Sequence, residues 1–153
     1  MGKVFKALLW VIGLLILAGG CYYAYMQIVG NPRVMAEVQA EPDGRRAQRV
    51  MLIDLPDGRT LPVNYLREDD MVYMGIDGLW WRQFQHGETP VRMLIRGESL
   101  AGLARAVLDD PERTRSVFAR LRPTAPDWLP GRMGGVLVEV RLQAPGVGLD
   151  TEG

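Results

Sequence analysis

The sequence predicts a small antiparallel β-barrel preceded by a single membrane-spanning helix. Short apolar or alternating segments begin near residues 34, 50, 60, 71, 91 and 136, and turn residues separate most of them. Short strands joined mainly by tight turns, with one late helix, are typical of a small barrel. The second observation is an uncharged run, Ala7–Met26, which has about the 20 residues that a helix needs to cross a bilayer.

Composition excludes several classes of protein. The 153 residues suffice for one domain with appendages, and 18 basic residues balance 18 acidic ones, so no basic excess points to nucleic acid. Cys21 is the single cysteine and His86 the single histidine. An internal disulfide is therefore excluded, and no metal site is expected, because zinc needs several nitrogen or sulfur ligands. A catalytic triad would have to use His86, and nothing near it marks a nucleophile.

The uncharged run carries aromatic residues near both ends, as membrane-spanning helices do at the lipid–water boundary. Trp10 lies near the start, and Tyr22, Tyr23 and Tyr25 lie near the end. A cleaved signal peptide would need small residues followed by polar ones, and tyrosines follow here instead. A lipoprotein signal ending at Cys21, with Cys21 acylated, is the other alternative. The apolar run continues past Cys21 and fills a membrane span, which favours the retained helix.

The flanking charges predict a single-pass membrane protein, in the inner membrane if the chain is bacterial. Lys3 and Lys6 precede the helix, and Arg33, Arg45 and Arg46 follow it. The two lysines slightly favour an amino terminus inside the cell and a domain outside the cytoplasm.

The central part of the chain predicts a β-meander. An apolar strand begins at Val50, and Pro56–Gly58 supplies the turn residues that a hairpin needs. In the returning strand, Thr60–Leu66, residues alternate between two faces. Thr60, Pro62 and Asn64 share one face, and Leu61, Val63 and Tyr65 share the other. Pro62 cannot donate a ladder hydrogen bond, so we expect it at an edge or a bulge.

A third strand, Met71–Ile76, leads into a paired-tryptophan segment. Trp80–Phe84 is predicted as a helical turn capped by Asp77. A further strand is expected over Val91–Arg96. Ser99–Leu108 is ambiguous, because its periodicity favours a helix, whereas a hairpin turn at Gly97–Glu98 would make it a strand.

The ends of the chain complete the predicted organisation. We expect Gly30–Pro32 to end the first helix and Val34–Val38 to form a short strand. Asp110 and Pro111 mark the start of a late helix. Val136–Leu142 is the last predicted strand. The predicted domains are an anchor at 1–30, a barrel at 31–142 and a disordered tail at 143–153.

The order and spacing of these segments resemble the deazaflavin-dependent nitroreductase family, whose members are split β-barrels related to flavin-binding split barrels. The similarity covers about Val50 to Val140, with gaps. The segments that carry it are Asp57–Tyr65, Met71–Tyr73 with Gly75, Trp80–Phe84, Val91–Met93, Arg96–Glu98 and Ala104–Val107 followed by Asp109 and Pro111. The resemblance implies that Ser99–Leu108 is a barrel strand after the Gly97 turn, and that two copies pair with cofactor sites at or near the dimer seam.

The resemblance also implies a deazaflavin or flavin mononucleotide (FMN) as cofactor. Arg59 and Arg82 are the predicted phosphate contacts, since guanidinium groups bind phosphate in bidentate fashion. Trp80 or Trp81 would provide a flat wall for the cofactor ring. The remaining predicted cofactor-binding residues line the approach: Thr60, Pro62 and Asn64. No catalytic side chain is predicted, because the cofactor carries the chemistry.

Two functions stay open at this point. The first is a membrane-anchored oxidoreductase, similar to a nitroreductase or quinone reductase, that acts on a lipid-soluble acceptor. The second is a non-catalytic anchored barrel that has lost its cofactor and binds a small ligand or a partner protein. The family's phosphate loop usually carries a Lys-Ser-Gly-Arg-like run, and the loop here, Leu55–Arg59, keeps only the glycine and the arginine. This difference favours the second function.

Overall fold

The computed structural model describes residues 2–25, 29–123 and 135–143. The chain divides into two compact units, Met1–Ala36 and Glu37–Gly153. In the first unit, helix α1 covers Lys3–Tyr25, and all its described side chains are exposed. Val4–Tyr25 is long and apolar enough to cross a membrane.

Helix α2 covers Asn31–Ala40, so the predicted strand at Val34–Val38 is wrong. Residues 29–30 are π-helical and continue directly into Asn31 and Pro32, and a proline is tolerated in the first turn of an α-helix. The apolar residues of this segment repeat at a helical interval, with Val34 and Val38 one turn apart. Val38 is fully buried.

Six strands form a closed, wholly antiparallel barrel, which confirms the predicted fold class. Around the barrel the strands follow the order β1-β2-β3-β6-β5-β4. The strands are β1 Val50–Asp54, β2 Thr60–Glu68, β3 Met71–Ile76, β4 Thr89–Ile95, β5 Glu98–Val107 and β6 Val136–Leu142. The last strand in sequence therefore lies between the third and the fifth.

Strand β2 changes its partner along its length. Its first half, residues 60–64, pairs with β1, and residues 65–68 pair with β3. Pro62 belongs to the first half, and its partner in β1 is Leu52. This is the local edge that the sequence predicts for a proline.

Strand β5 settles the ambiguity at Ser99–Leu108 in favour of the strand. The hairpin before it turns at Arg96 and Gly97, whose φ angles are 49° and 79°. Positive φ at both central residues is the geometry of a tight two-residue hairpin, and glycine accepts it without strain. The turn chemistry thus decided the structure here, against the helical spacing of the leucines.

The barrel interior is one apolar core, and a second cluster lies outside it beneath a helix. Helix α3, Pro111–Leu121, begins as predicted, because the Asp110 carboxylate accepts a hydrogen bond from the Arg113 amide at 2.9 Å. Val117 and Phe118 of α3 are buried against the outer face of the sheet. The core consists mainly of inward side chains: Met51, Ile53, Val63, Val72, Met74, Ile76, Phe84, Val91, Met93, Ile95, Ala104, Val138 and Val140.

A buried carboxylate also fixes α3 to the barrel. Glu139, on the outer face of β6, is 6% exposed. Its Oε1 accepts a hydrogen bond from Arg105 at 2.6 Å. Its Oε2 lies 2.8 Å from an Arg113 guanidinium nitrogen in an ion pair that lacks hydrogen-bond geometry. Arg113 in turn stacks over the ring of Tyr73.

The paired tryptophans lie in a 3-10 helix, Leu79–Phe84, which we call the tryptophan turn. The predicted cap by Asp77 is wrong, since Gly78 occupies the cap position and no side chain caps the turn. The Asp77 carboxylate instead accepts hydrogen bonds from Arg122 at 3.0 and 2.8 Å. An arginine 45 residues away therefore takes the acceptor that local sequence would assign to the cap. The predicted tail lies outside the described residues except for Gln143.

Candidate functional site

The β1–β2 hairpin turn and the tryptophan turn are in direct contact. Gln83 of the tryptophan turn donates a hydrogen bond from Nε2 to Oδ2 of Asp57 at 2.8 Å. Gly58, at the hairpin tip, has a φ of 83°, as a tight turn requires. The expectation that these turns meet at one end of the barrel therefore agrees with the structure. Whether a cofactor occupies that end stays a prediction.

Asp57 is the centre of this junction, and it already binds one of the predicted phosphate contacts. Its Oδ2 accepts bonds from Nε and Nη2 of Arg59 at 3.0 and 2.7 Å, and its Oδ1 accepts from the Arg59 amide at 3.1 Å. The hydrogen bond from the Arg59 side chain is the largest cause that lowers the pKa of Asp57, from an ordinary 3.8 to about 2. Asp57 is thus an anion at neutral pH and offsets the charge of Arg59.

The other predicted residues of β2 separate along the strand. Thr60 lies beside the hairpin turn, and its hydroxyl donates to Asp54 at 2.6 Å. Pro62 and Asn64 follow on the same face of β2, at intervals of about 7 Å, because a strand rises about 3.4 Å per residue. Asn64 is exposed, whereas Pro62 is half-buried. The structure therefore brings Thr60 to the junction and leaves Asn64 at a distance.

The tryptophans pack, and each also keeps an accessible part. Trp80 and Trp81 are half-buried and lie against the barrel core. The ring of Trp80 meets that of Phe84 edge to face, with centroids 6.2 Å apart, which is a favourable aromatic geometry. Arg82 is exposed. The turn can thus close this end of the barrel and still present an aromatic surface.

Sequence reasoning missed two members of the junction. Asp57 and Gln83 connect the two turns, and neither was among the predicted site residues. The Asp57–Arg59 pair had a local signal, because the residues are two apart in one turn. The contact between Gln83 and Asp57 joins residues 26 positions apart, and no local sequence signal indicated it.

Grooves elsewhere on the barrel were also not predicted. One groove of about 790 Å³ has mixed polar walls that include Tyr65, Arg67, Arg96 and Glu98. A smaller depression of about 180 Å³ adjoins the β1–β2 turn at Asp54–Pro56 and includes Arg92 among its walls. Within the ranges that the structure covers, no group of three or more His, Cys, Asp or Glu side chains could hold a metal ion.

The protein is therefore of the six-stranded antiparallel barrel class, and an aromatic turn lies against one end of its barrel. No protein-family model matches the chain, and no curated protein matches it.

The solved structures that are similar in fold include the following three. A candidate pyridoxamine 5'-phosphate oxidase from Listeria innocua is 13% identical with a TM-score of 0.49, over 71% of this chain and 93% of that one. A candidate general stress protein 26 from Jannaschia sp. CCS1 is 14% identical with a TM-score of 0.47, over 72% and 74%. An F420 reductase is 13% identical with a TM-score of 0.45, over 71% and 93%. At these sequence identities and TM-scores, we infer nothing about function from the similarity.

Proposed function

We propose that this protein is a membrane-anchored split barrel that holds a deazaflavin or FMN beside the tryptophan turn and acts as an oxidoreductase on a lipid-soluble acceptor. A quinone or a nitro compound is the expected class of acceptor. The observation that carries the proposal is the Gln83–Asp57 hydrogen bond, because it joins the turn that bears Arg59 to the turn that bears the tryptophans. The bound cofactor would supply hydride transfer, and the protein would bind and orient it.

The side chains at the junction fit such a group under one condition. Trp80 and Trp81 offer the aromatic surface that a planar ring needs, and Arg82 is exposed for an anion. Arg59 is bound to Asp57 through two guanidinium nitrogens. A cofactor phosphate would therefore have to share Arg59 with Asp57 or displace it.

Titration of the purified full chain in detergent with FMN and with the deazaflavin tests the proposal. Arg59→Ala should weaken binding by roughly ten- to a hundredfold, since one charge-assisted contact contributes about 1.5–3 kcal/mol. Asp57→Asn should tighten binding, because it removes the competing anion. Arg115→Ala, at an exposed position on α3, is the matched control and should have no effect. If neither cofactor binds at high micromolar concentration, the oxidoreductase proposal is wrong.

The second candidate function is a non-catalytic anchored barrel that binds a small ligand or a partner protein. The bidentate Asp57–Arg59 pair favours it, because the only arginine of the loop is already neutralised. Under this proposal neither cofactor binds the native chain, and Asp57→Asn does not create binding.

Membrane anchoring is a separate part of the proposal, and the length and apolar character of α1 support it. Alkaline carbonate washing of membranes should leave the full chain in the pellet. Release into the supernatant would exclude a spanning helix. Palmitate labelling that disappears in Cys21→Ser would favour the lipoprotein alternative.

The side of the membrane and pairing of two copies are also proposed rather than shown. The two lysines before α1 favour an extracytoplasmic barrel, which a reporter fused after Gly153 would test. A cytoplasmic barrel would favour the oxidoreductase, because reduced soluble cofactors are made inside the cell. Cross-linking of the full chain should give a homodimer, and a monomer alone would contradict it.

A further inference from the structure

The groove of about 790 Å³ lies at the end of the barrel opposite the tryptophan turn, beside the β2–β3 and β4–β5 turns. In the described ladders, β1 pairs with β4 only at residues 52–54, whereas β4 continues to Ile95 and β2 continues to Glu68. The groove lies where these two strands extend beyond that pairing. All its walls belong to the unit Glu37–Gly153.

Two arginines supply the positive charge of the groove, and their ion pairs are loose. Nη1 of Arg67 lies 3.2 Å from Oε2 of Glu98, and Nη2 of Arg96 lies 3.3 Å from Oδ1 of Asp43. The other ion pairs given for the described residues are 2.6–2.8 Å long. Ion pairs in water contribute little to stability. Both guanidinium groups can therefore exchange a carboxylate of the protein for that of a ligand.

Each arginine is also less exposed than the carboxylate that it pairs with. The side chains of Arg67 and Glu98 are 38% and 60% exposed, and those of Arg96 and Asp43 are 55% and 92% exposed. A negative group that enters the groove would thus meet guanidinium groups on the inside. The carboxylates would lie nearer the solvent.

Tyr65 and Leu66 add an apolar surface, and both side chains are half-buried. The Tyr65 hydroxyl donates to the carbonyl oxygen of Ala47 at 3.1 Å, which fixes the ring. Burial raises the pKa of Tyr65, and the charges of Arg96 and Arg67 oppose that rise. The ring and the two guanidinium groups are therefore close enough to act on one ligand.

The charges of the groove select against a simple anion. Its walls hold two arginines and three carboxylates, those of Asp43, Asp69 and Glu98. Asp69 is exposed and has no ion-pair partner within the described ranges. Its carboxylate would repel an anion and attract a cation. The walls thus match a molecule that carries both charges.

We propose that this groove binds a small zwitterion, an α-amino acid or a dipeptide with an apolar side chain. The ligand carboxylate would accept hydrogen bonds from Arg67 and Arg96. Its ammonium group would pair with Asp69, and its side chain would lie on Leu66. Pockets of about 300–1,000 Å³ are typical of small-molecule sites. The proposal depends neither on the cofactor nor on the membrane anchor, since the groove lies away from the junction of the two turns.

Calorimetric titration of the purified full chain in detergent tests the requirement for both charges. Leucine and leucyl-leucine are the zwitterions, and the tighter of the two gives the separation of charges that the groove accepts. N-acetyl-leucyl-leucine lacks the ammonium group, and leucyl-leucine amide lacks the carboxylate. Each should bind at least about tenfold more weakly than leucyl-leucine, since it loses one charged contact. Absence of binding by both zwitterions at millimolar concentration, or equal binding of the acetylated dipeptide, would overturn the proposal.

Substitutions then locate the binding in the groove. Arg67→Gln and Arg96→Asn should each weaken leucyl-leucine roughly tenfold or more, and asparagine tolerates the φ of 49° at position 96. Arg115→Gln, at an exposed position on α3, is the matched control and should have no effect. Asp69→Asn should weaken leucyl-leucine but tighten its acetylated form, because the repelling carboxylate is gone.

Equal affinity in both arginine variants and the control would show that the ligand binds elsewhere and would overturn the assignment. Urea unfolding identifies any variant that does not fold. The four ligands on the native chain decide the charge requirement without any variant.

Discussion

The Glu139 cluster gives an asymmetric prediction about stability. Its carboxylate is buried, but its partners are not, since the side chains of Arg105 and Arg113 are 57% and 42% exposed. In Glu139→Gln both arginines can turn to water, so the expected loss is about 1.5–3 kcal/mol, the contribution of hydrogen bonding to a charged group.

Removal of the arginines should cost more. Arg105→Ala with Arg113→Ala leaves the Glu139 carboxylate buried without a counter-charge, for which about 3–5 kcal/mol is expected. Part of that loss belongs to Arg113 stacking over Tyr73. Adding Glu139→Gln to the double variant isolates the electrostatic part of the stability loss, because position 139 then carries no charge to be buried. The triple variant should therefore be more stable than the double variant.

The assay is urea unfolding of the full chain in one detergent, followed by tryptophan fluorescence, with each variant compared to the native chain under two-state analysis. If Glu139→Gln is the more harmful change, or if the triple variant is no more stable than the double, the carboxylate is not held as a paired ion. Either result would refute the reasoning.

Three further predictions follow from local geometry. The pKa of Asp57 is lowered to about 2 chiefly by the hydrogen bond from Arg59. This carboxylate therefore stabilises the fold above pH 3.8, its ordinary pKa, and the stabilisation is lost as the pH falls toward 2. NMR titration of Arg59→Ala should show the pKa of Asp57 returning toward 3.8. A Cβ at Gly75 would clash with the Phe118 ring, so Gly75→Ala should cost about 1–3 kcal/mol by urea unfolding. That cost should shrink when it is measured in a Phe118→Leu background. Asp110→Ala removes the cap of α3 and should cost about 1 kcal/mol in the same assay, and an unchanged midpoint would show that the cap contributes nothing.

Most of the barrel was predictable because its signals are local. Alternation identified the strand that carries Leu61, Val63 and Tyr65, and Asp110–Pro111 identified the start of α3. The segment at Val34–Val38 was wrong although a local signal existed, since Asn31–Pro32 resembles a helix start as much as a helix end. Five residues are too few for periodicity to separate a strand from one helical turn.

The remaining features depend on contacts between distant residues. Asp77 has the side chain of a cap, but Arg122 reaches it from beyond α3. Glu139 alternates outward on its strand like a solvent-facing residue, and its burial follows only from the position of α3. At the candidate site, the resemblance pointed to Arg59, but the contact that joins its turn to Gln83 comes from the barrel closing on itself.

The position of β6 has a consequence for how the chain is made. Until β6 has been synthesised, the first five strands can form only an open sheet, in the order β3-β2-β1-β4-β5, with β3 and β5 as unpaired edges. Such edges are templates for pairing with other chains. β6 pairs with both at once, through Met71–Ile76 on one side and Gly102–Val107 on the other. A chain truncated before residue 136 would thus be an aggregation-prone open sheet, and the seven residues of β6 cover both edges in a single step.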